Sequence, residues 1–204
     1  MQGYILRTRK VKDEDLLVYI LTPSNVVKSY RFYGARHPSV MNGYKIDFEL
    51  IENINFLPQL RSVLHLGYRW LQDRDKLIIW QQFMRLIYDH LKDVDSLDEI
   101  YFNELDLCAK RFELSNAKRL LIESYVRILE YEGRLHQEFE CFVCDEPIVG
   151  KMCLTRGFLP SHPHCFARSE FDMKKIEKLF DTKSTIELND EEVNSLYKIV
   201  LEGL

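Results

Sequence analysis

Long apolar runs are missing from this chain. No stretch reaches the roughly eighteen consecutive apolar residues of a membrane-crossing helix, so no membrane partner is expected. The opening Met1-Gln-Gly-Tyr-Ile-Leu-Arg-Thr-Arg9 also lacks the apolar core of a secretory leader. Cysteine is scarce and unevenly placed: five in 204 residues, four of them between 141 and 165, which does not suit the disulfide framework of a secreted domain. Cys108 stands alone in a helical pattern and reads as a small buried hydrophobe. A reducing cytoplasm is the expected compartment. Signatures of catalysis are absent as well, with no P-loop, nucleophile elbow, dinucleotide fingerprint or His-Glu-x-x-His, and no enzymatic role is expected. Nor is there an excess of positive charge, since the net charge is −4. The distribution says more than the total. Residues 1–60 hold eight Lys/Arg against six Asp/Glu, whereas residues 61–204 hold twenty against twenty-six. The first segment is therefore where an anionic partner is to be sought.

Hydrophobic residues make up 46% of the chain, enough for a packed interior. The β signals crowd the N-terminus. Tyr4-Ile-Leu6, Leu16-Leu-Val-Tyr-Ile-Leu21, Val26–Tyr33 and Ile46–Ile51 are short runs rich in β-branched and aromatic residues, broken by Thr22-Pro23-Ser24-Asn25, Gly34 and Asn42-Gly43. Ile54-Asn-Phe56 offers a last strand. Several short strands with no intervening helix suggest a small closed barrel over residues 1–58, and an OB-fold closes at this size.

After Pro58 the apolar period turns helical through Leu60, Val63 and Leu64, then through Leu77, Trp80, Phe83, Met84, Ile87 and Leu91. A third helix is expected from Asp95-Ser96 to about Phe112, and a fourth from an N-cap at Ser115 to Gly133. Two more follow, about Asp172–Phe180 and Asp190–Leu201, the latter with Asn189 and Glu192 placed for a capping box. The expected class is α+β: an OB barrel at 1–58, a helical domain at 59–136, a zinc-ribbon-like insertion at 137–170, and C-terminal helices at 171–204 that rejoin the helical domain.

The insertion is where metal chemistry is indicated. Cys141-Phe-Val-Cys144 is followed by His162-Pro-His-Cys165, two ligand pairs each separated by two residues. Zinc takes four such donors in a tetrahedron, and two tight knuckles supply them. Cys141, Cys144 and Cys165 are the secure members. The fourth is His162, Cys153 or His164, and His162 is preferred because it repeats the gap of the first knuckle. With four protein ligands the metal has no open position, so its role is structural.

Several segments, in order, resemble the RecO family of bacterial recombination mediators. They are Gly3-Tyr-Ile-Leu-Arg-Thr-Arg9, Asp13-Glu-Asp-Leu-Leu17 with Leu21-Thr22, Gly34-Ala35-Arg36, and Gly157-Phe-Leu before His162 and Cys165. The resemblance implies a nucleoid-associated protein of DNA repair. It would bind single- and double-stranded DNA, anneal strands, and act with RecR to load RecA onto DNA coated by single-strand-binding protein. Arg7, Arg9, Lys10, Lys12, Lys28, Arg31, Arg36 and Lys45 would then track phosphates on the barrel, with Tyr30, Phe32 or Tyr33 stacking bases wherever they face outward. The C-terminal tail of single-strand-binding protein would dock on the helices, where Lys110, Arg111, Lys118 and Arg119 form a basic rim. A zinc-stabilised adaptor binding protein or RNA, without annealing activity, is the alternative.

Overall fold

The computed structural model covers residues 1–204 and divides into two compact units, Met1–Glu113 and Leu114–Leu204. In the first, β1 (Gln2–Lys10), β2 (Leu16–Leu21), β3 (Val26–Arg31), β4 (Lys45–Ile51) and β5 (Gln59–His65) close a barrel in the order β1-β2-β3-β5-β4. β3 and β5 meet in parallel at Tyr30 and Gln59, and β4 returns antiparallel to β1. This is the OB arrangement expected from the strand signals. Alternation explains its interior. Ile5, Leu16, Val18, Ile20, Ile46, Phe48 and Leu60 point inward and, with Val40, form the core.

The closing strand corrects the sequence reading. Leu60, Val63 and Leu64 lie in β5 rather than at the start of a helix, while Ile54 and Phe56 sit exposed in the β4–β5 loop rather than in a strand. The cause is a bulge. Arg61 and Leu64 of β5 oppose Glu49 and Asp47 of β4, so β5 carries one residue more than its partner there, and Ser62 takes a left-handed φ of 48°. Leu60 and Val63 thus reach the core three residues apart. In sequence, that spacing imitates a helix.

β1 is buried on both faces, and this orders the rest of the unit. Ile5 points into the barrel, whereas Tyr4 and Leu6 lie outside it, buried. They are covered in part by α1 (Arg74–Leu91), capped by the Asp73 side chain, while the Phe102 ring of α2 (Ile100–Arg111) lies 5.6 Å from that of Tyr4. Trp80 of α1 donates its indole N–H to the Gly43 carbonyl at 2.8 Å and stacks edge-on to Tyr4 and Trp70. Gly43 has φ 89°, and a β-carbon there would lie 2.7 Å from the Trp80 ring, so both conformation and space require glycine. Cys108 is buried in α2, as expected of an apolar cysteine.

The second unit contains α3 (Ala117–Tyr131), β6 (Lys151–Leu154), β7 (Pro160–Ser161), β8 (Glu170–Asp172), α4 (Met173–Thr182) and α5 (Asp190–Val200). The cap of α3 is Asn116, not Ser115: the Asn116 carbonyl oxygen accepts from the Lys118 and Arg119 amides. The Asn189–Glu192 capping box of α5 forms as expected. β6 is central in a small sheet ordered β7-β6-β8, and the two knuckle segments lie beside it. α3 packs on α5, with Tyr125, Phe158 and Phe180 among the fully buried rings of the unit. No helix of the chain is long and apolar enough to cross a membrane.

Candidate nucleic-acid interface and metal centre

Strand register sorts the basic residues of the barrel. Arg9 of β1 lies opposite Leu17 of β2, which lies opposite Tyr30 of β3, and Tyr30 meets Gln59 of β5. One row along, Arg7, Tyr19 and Lys28 are paired in the same way. Cross-strand partners share a face, and Val18 between these rows points into the core, so both rows lie on the outer surface of β1-β2-β3. Arg9 and Lys28 are exposed there. The Lys28 ammonium lies 5.9 Å from the Tyr19 ring, and the Arg7 guanidinium lies 4.9 Å from the Tyr88 ring of α1, with Asp89 at 3.9 Å. Lys10 and Lys12 are exposed at the end of β1 and in the following turn.

Arg36 ends a short 3-10 turn after β3, ion-paired with Glu14 and 5.7 Å from the Tyr33 ring, with its side chain 68% exposed. Nearby, Asp15 accepts from the Tyr30 hydroxyl at 2.6 Å and the Tyr33 amide at 2.7 Å. The Tyr30 bond foremost, with the amide, holds the Asp15 carboxyl below its ordinary range.

Two of the expected contact residues are engaged within the protein. Lys45 is only 12% exposed and its ammonium lies 2.5 Å from Asp106, which also accepts from Tyr4 at 2.8 Å and pairs with Lys110 at 2.7 Å. Lys45 is thus held, largely enclosed, by a half-buried carboxylate. Arg31 belongs to the inward phase of β3 and donates to the Leu60 carbonyl at 2.8 Å, so it pins β3 to β5. Its neighbour Tyr30 lies on the outer face, and beyond the end of β3 both Phe32 and Tyr33 are exposed.

The proposed basic rim separates likewise. Lys110 and Arg111 are exposed at the end of α2, Lys110 paired with Asp106. In the other unit Lys118 donates to Asn194 at 2.6 Å. Arg119 is 24% exposed and donates to the carbonyls of Thr185 and Leu188, at 2.7 and 2.9 Å, while pairing with Asp190. Arg119 fastens α3 to the segment entering α5.

The knuckles converge. Ligand atoms of Cys141, Cys144, His162 and Cys165 all lie within 4.8 Å of one another. Cys153 is buried on β6 with its sulfur 3.6 Å from the Arg168 carbonyl, and His164 stacks on the His162 ring without joining the group. A tetrahedral zinc with Zn–S of about 2.3 Å and Zn–N of about 2.0–2.1 Å needs S···S edges near ~3.8 Å and S···N edges near ~3.5 Å. The Cys144–Cys165 sulfurs are 3.8 Å apart, and His162 Nδ1 lies 3.4 Å from Cys144 and 4.0 Å from Cys165. His162 Nε2 lies 3.2 Å from the Pro147 carbonyl; as a donor there it leaves the Nδ1 lone pair directed at the sulfurs. Burial would raise the Cys141 thiol, but amides of His162, Val143 and Cys144 outweigh it and bring it down to about 5. Burial and the neighbouring thiols push Cys165 up to about 11. The group is thus a partly ionised cage that could hold a metal ion, and the residues fit one of zinc's size.

The chain thus joins a closed five-stranded OB-like barrel with a basic and aromatic outer face to a Cys/His group that could hold a metal ion. Residues 1–71, which span the barrel, match the family model described as RecO N terminal, and this supports a RecO-family protein. No curated protein matches the chain.

The sequence reading missed one feature of this surface. Phe56 and Leu57 of the β4–β5 loop line one cleft with Tyr30 and Phe32. The signal was present in Ile54-Asn-Phe56, but reading it as a strand concealed it.

Proposed function

We propose that the protein is a DNA-binding recombination mediator of the RecO type. On this reading it binds single- and double-stranded DNA through the outer face of β1-β2-β3, anneals strands, and acts with RecR to load RecA onto strands coated by single-strand-binding protein. The observation that carries the reading is the arrangement of Arg7, Arg9 and Lys28 in two registered rows beside Tyr19 and Tyr30. Strands 2 and 3 and the loops between strands 1–2 and 4–5 are where OB barrels take oligonucleotides. Lys10, Lys12 and Arg36 extend the strip, whereas Lys45 and Arg31 are left out. Zinc held by Cys141, Cys144, His162 and Cys165 would supply a structural cross-link, with all four positions filled by protein.

The test is fluorescence anisotropy of a labelled single strand titrated with protein at several salt concentrations. The log affinity should fall with log salt by roughly 0.7 per phosphate neutralised. Arg9→Ala and Lys28→Ala should each weaken binding and flatten that slope, and Lys45→Ala should leave it alone. Absence of binding at low salt by folded protein would defeat this reading in favour of an adaptor for protein or RNA.

A further inference from the structure

Where the Arg9 row reaches Tyr30 and Gln59, the barrel surface bears a cleft of about 520 Å³ lined by Tyr30, Phe32, Asn53, Phe56, Leu57 and Gln59. Its size falls within the roughly 300–1,000 Å³ of small-ligand pockets. Its composition is unusual for an open surface. Phe32 is 52% exposed and Phe56 77%, although each ring would gain by burial. The wall is nonetheless firm. The Tyr30 and Phe32 rings meet edge-on at 4.9 Å, and the Tyr30 hydroxyl is anchored to Asp15 at 2.6 Å. Two amides, Asn53 and Gln59, supply the polar atoms, and Gln59 accepts from Arg61 at 3.1 Å.

We infer that this cleft receives one unpaired nucleobase of a single DNA strand, so that the barrel discriminates single strands from duplex. The inference rests on the DNA-binding reading above and names the substrate of that surface. Several features favour a base over an apolar side chain as the occupant. The cleft is bordered by cations suited to the phosphates on either side of a base: Lys28 stands two residues before Tyr30 on the same face, Arg9 lies in the Tyr30 row, and Arg61 adjoins Gln59. The Asp15 carboxylate behind the Tyr30 ring is occupied by the Tyr30 hydroxyl and the Tyr33 amide. Aromatic faces with amides beside them suit a flat heterocycle with a hydrogen-bonding edge. In a duplex each base is stacked on both faces and cannot present one to Phe56 without being flipped out.

The experiment compares parent protein with Phe56→Ala and Phe32→Ala on three labelled probes: an oligothymidylate, the same backbone carrying abasic sites, and a hairpin duplex. Both rings are exposed, so the variants retain the barrel core, which far-ultraviolet circular dichroism verifies. The parent should prefer oligothymidylate to the abasic strand by roughly five- to a hundredfold, the range one stacked base contributes. Either variant should lose that preference, bind the abasic strand and duplex as the parent does, and keep the parent's salt slope, since stacking releases no counterions. Equal parental affinity for oligothymidylate and abasic strands would overturn the base site while leaving DNA binding intact. A variant that weakens all three probes alike would also overturn it. If no probe binds, the DNA reading itself has failed. A hydrophobic peptide that competes at the cleft, with DNA binding unaffected by the variants, would make the occupant a protein segment and overturn the proposal.

Discussion

Single side chains in this protein show how position decides what a charge or a missing atom does. At Gly3 a β-carbon would stand 2.4 Å from Ile20 Cγ2 and 2.8 Å from the Leu21 carbonyl oxygen, because β1 and β2 pass too closely for any side chain. Gly3→Ala should destabilise the barrel by about 1–3 kcal/mol, as over-packing does. Denaturation followed by tryptophan fluorescence will measure it, since both tryptophans, Trp70 and Trp80, are buried in the unit Met1–Glu113.

Asp106 offers a second case. Burial acts to raise its carboxyl, but bonds from Lys110, Lys45 and Tyr4 outweigh that and bring it to about 2. A carboxyl depressed in the folded state contributes stability above its unfolded value near 3.8 and loses it as pH falls towards 2. Asp106→Ala, which leaves Lys45 without its carboxylate and the Tyr4 hydroxyl with Tyr68 alone, should cost about 2 kcal/mol at neutral pH, and the gap to the parent should narrow below pH ~4. In the other unit Arg119→Ala should cost about 2 kcal/mol by leaving the Thr185 and Leu188 carbonyls without their donor.

Among the elements, the ribbon-like module is the one that needs help to hold its form. β6, β7 and β8 are four, two and three residues long, too short for a sheet that stands by its own pairing. A tetrahedral metal would tie the knuckle at Cys141 to the one at His162 and supply what the strands lack. Cys144→Ser and Cys165→Ser should lower the bound zinc below one per chain in a chromophoric chelator assay, whereas Cys153→Ser, outside the cage, should retain it. Protons bear on the same element. Cys165, raised to about 11, holds its proton at neutral pH until a cation arrives. Zinc loading should therefore release protons and tighten with rising pH, which calorimetry in buffers of different ionisation enthalpy detects.

For the molecule as a whole, a net charge of −4 means that affinity for DNA depends on where the cations stand. On the proposed reading the cations that matter are those of the outer barrel face, so binding should be salt-sensitive. Stripping zinc should disturb the unit Leu114–Leu204, seen as loss of helical circular dichroism. The fluorescence of Trp70 and Trp80 and the affinity for a single strand should be unchanged. If chelation abolished DNA binding while the tryptophan signal held, the interface would not lie on the barrel.

What could be read in the sequence was whatever depends on near neighbours. Alternating β-branched and aromatic runs up to Ile51 gave away four strands of the barrel, because inside and outside alternate with a fixed period of two. The gap of two residues within Cys141–Cys144 and His162–Cys165 gave away the cage, because a knuckle is a local turn. The Asn189–Glu192 box gave away the start of α5 for the same reason.

Tertiary structure decided the rest. The fifth strand was hidden by its bulge at Ser62, which breaks the period that identifies a strand. Lys45, Arg31 and Arg119 read as surface cations, and only packing against Asp106, Leu60 and the Thr185–Leu188 segment turned them into staples. The cleft of Tyr30, Phe32 and Phe56 joins residues from separate strands and loops. A sequence states which residues are charged or aromatic. Which of them meet is set by how strands pair across the barrel, and no local pattern encodes that.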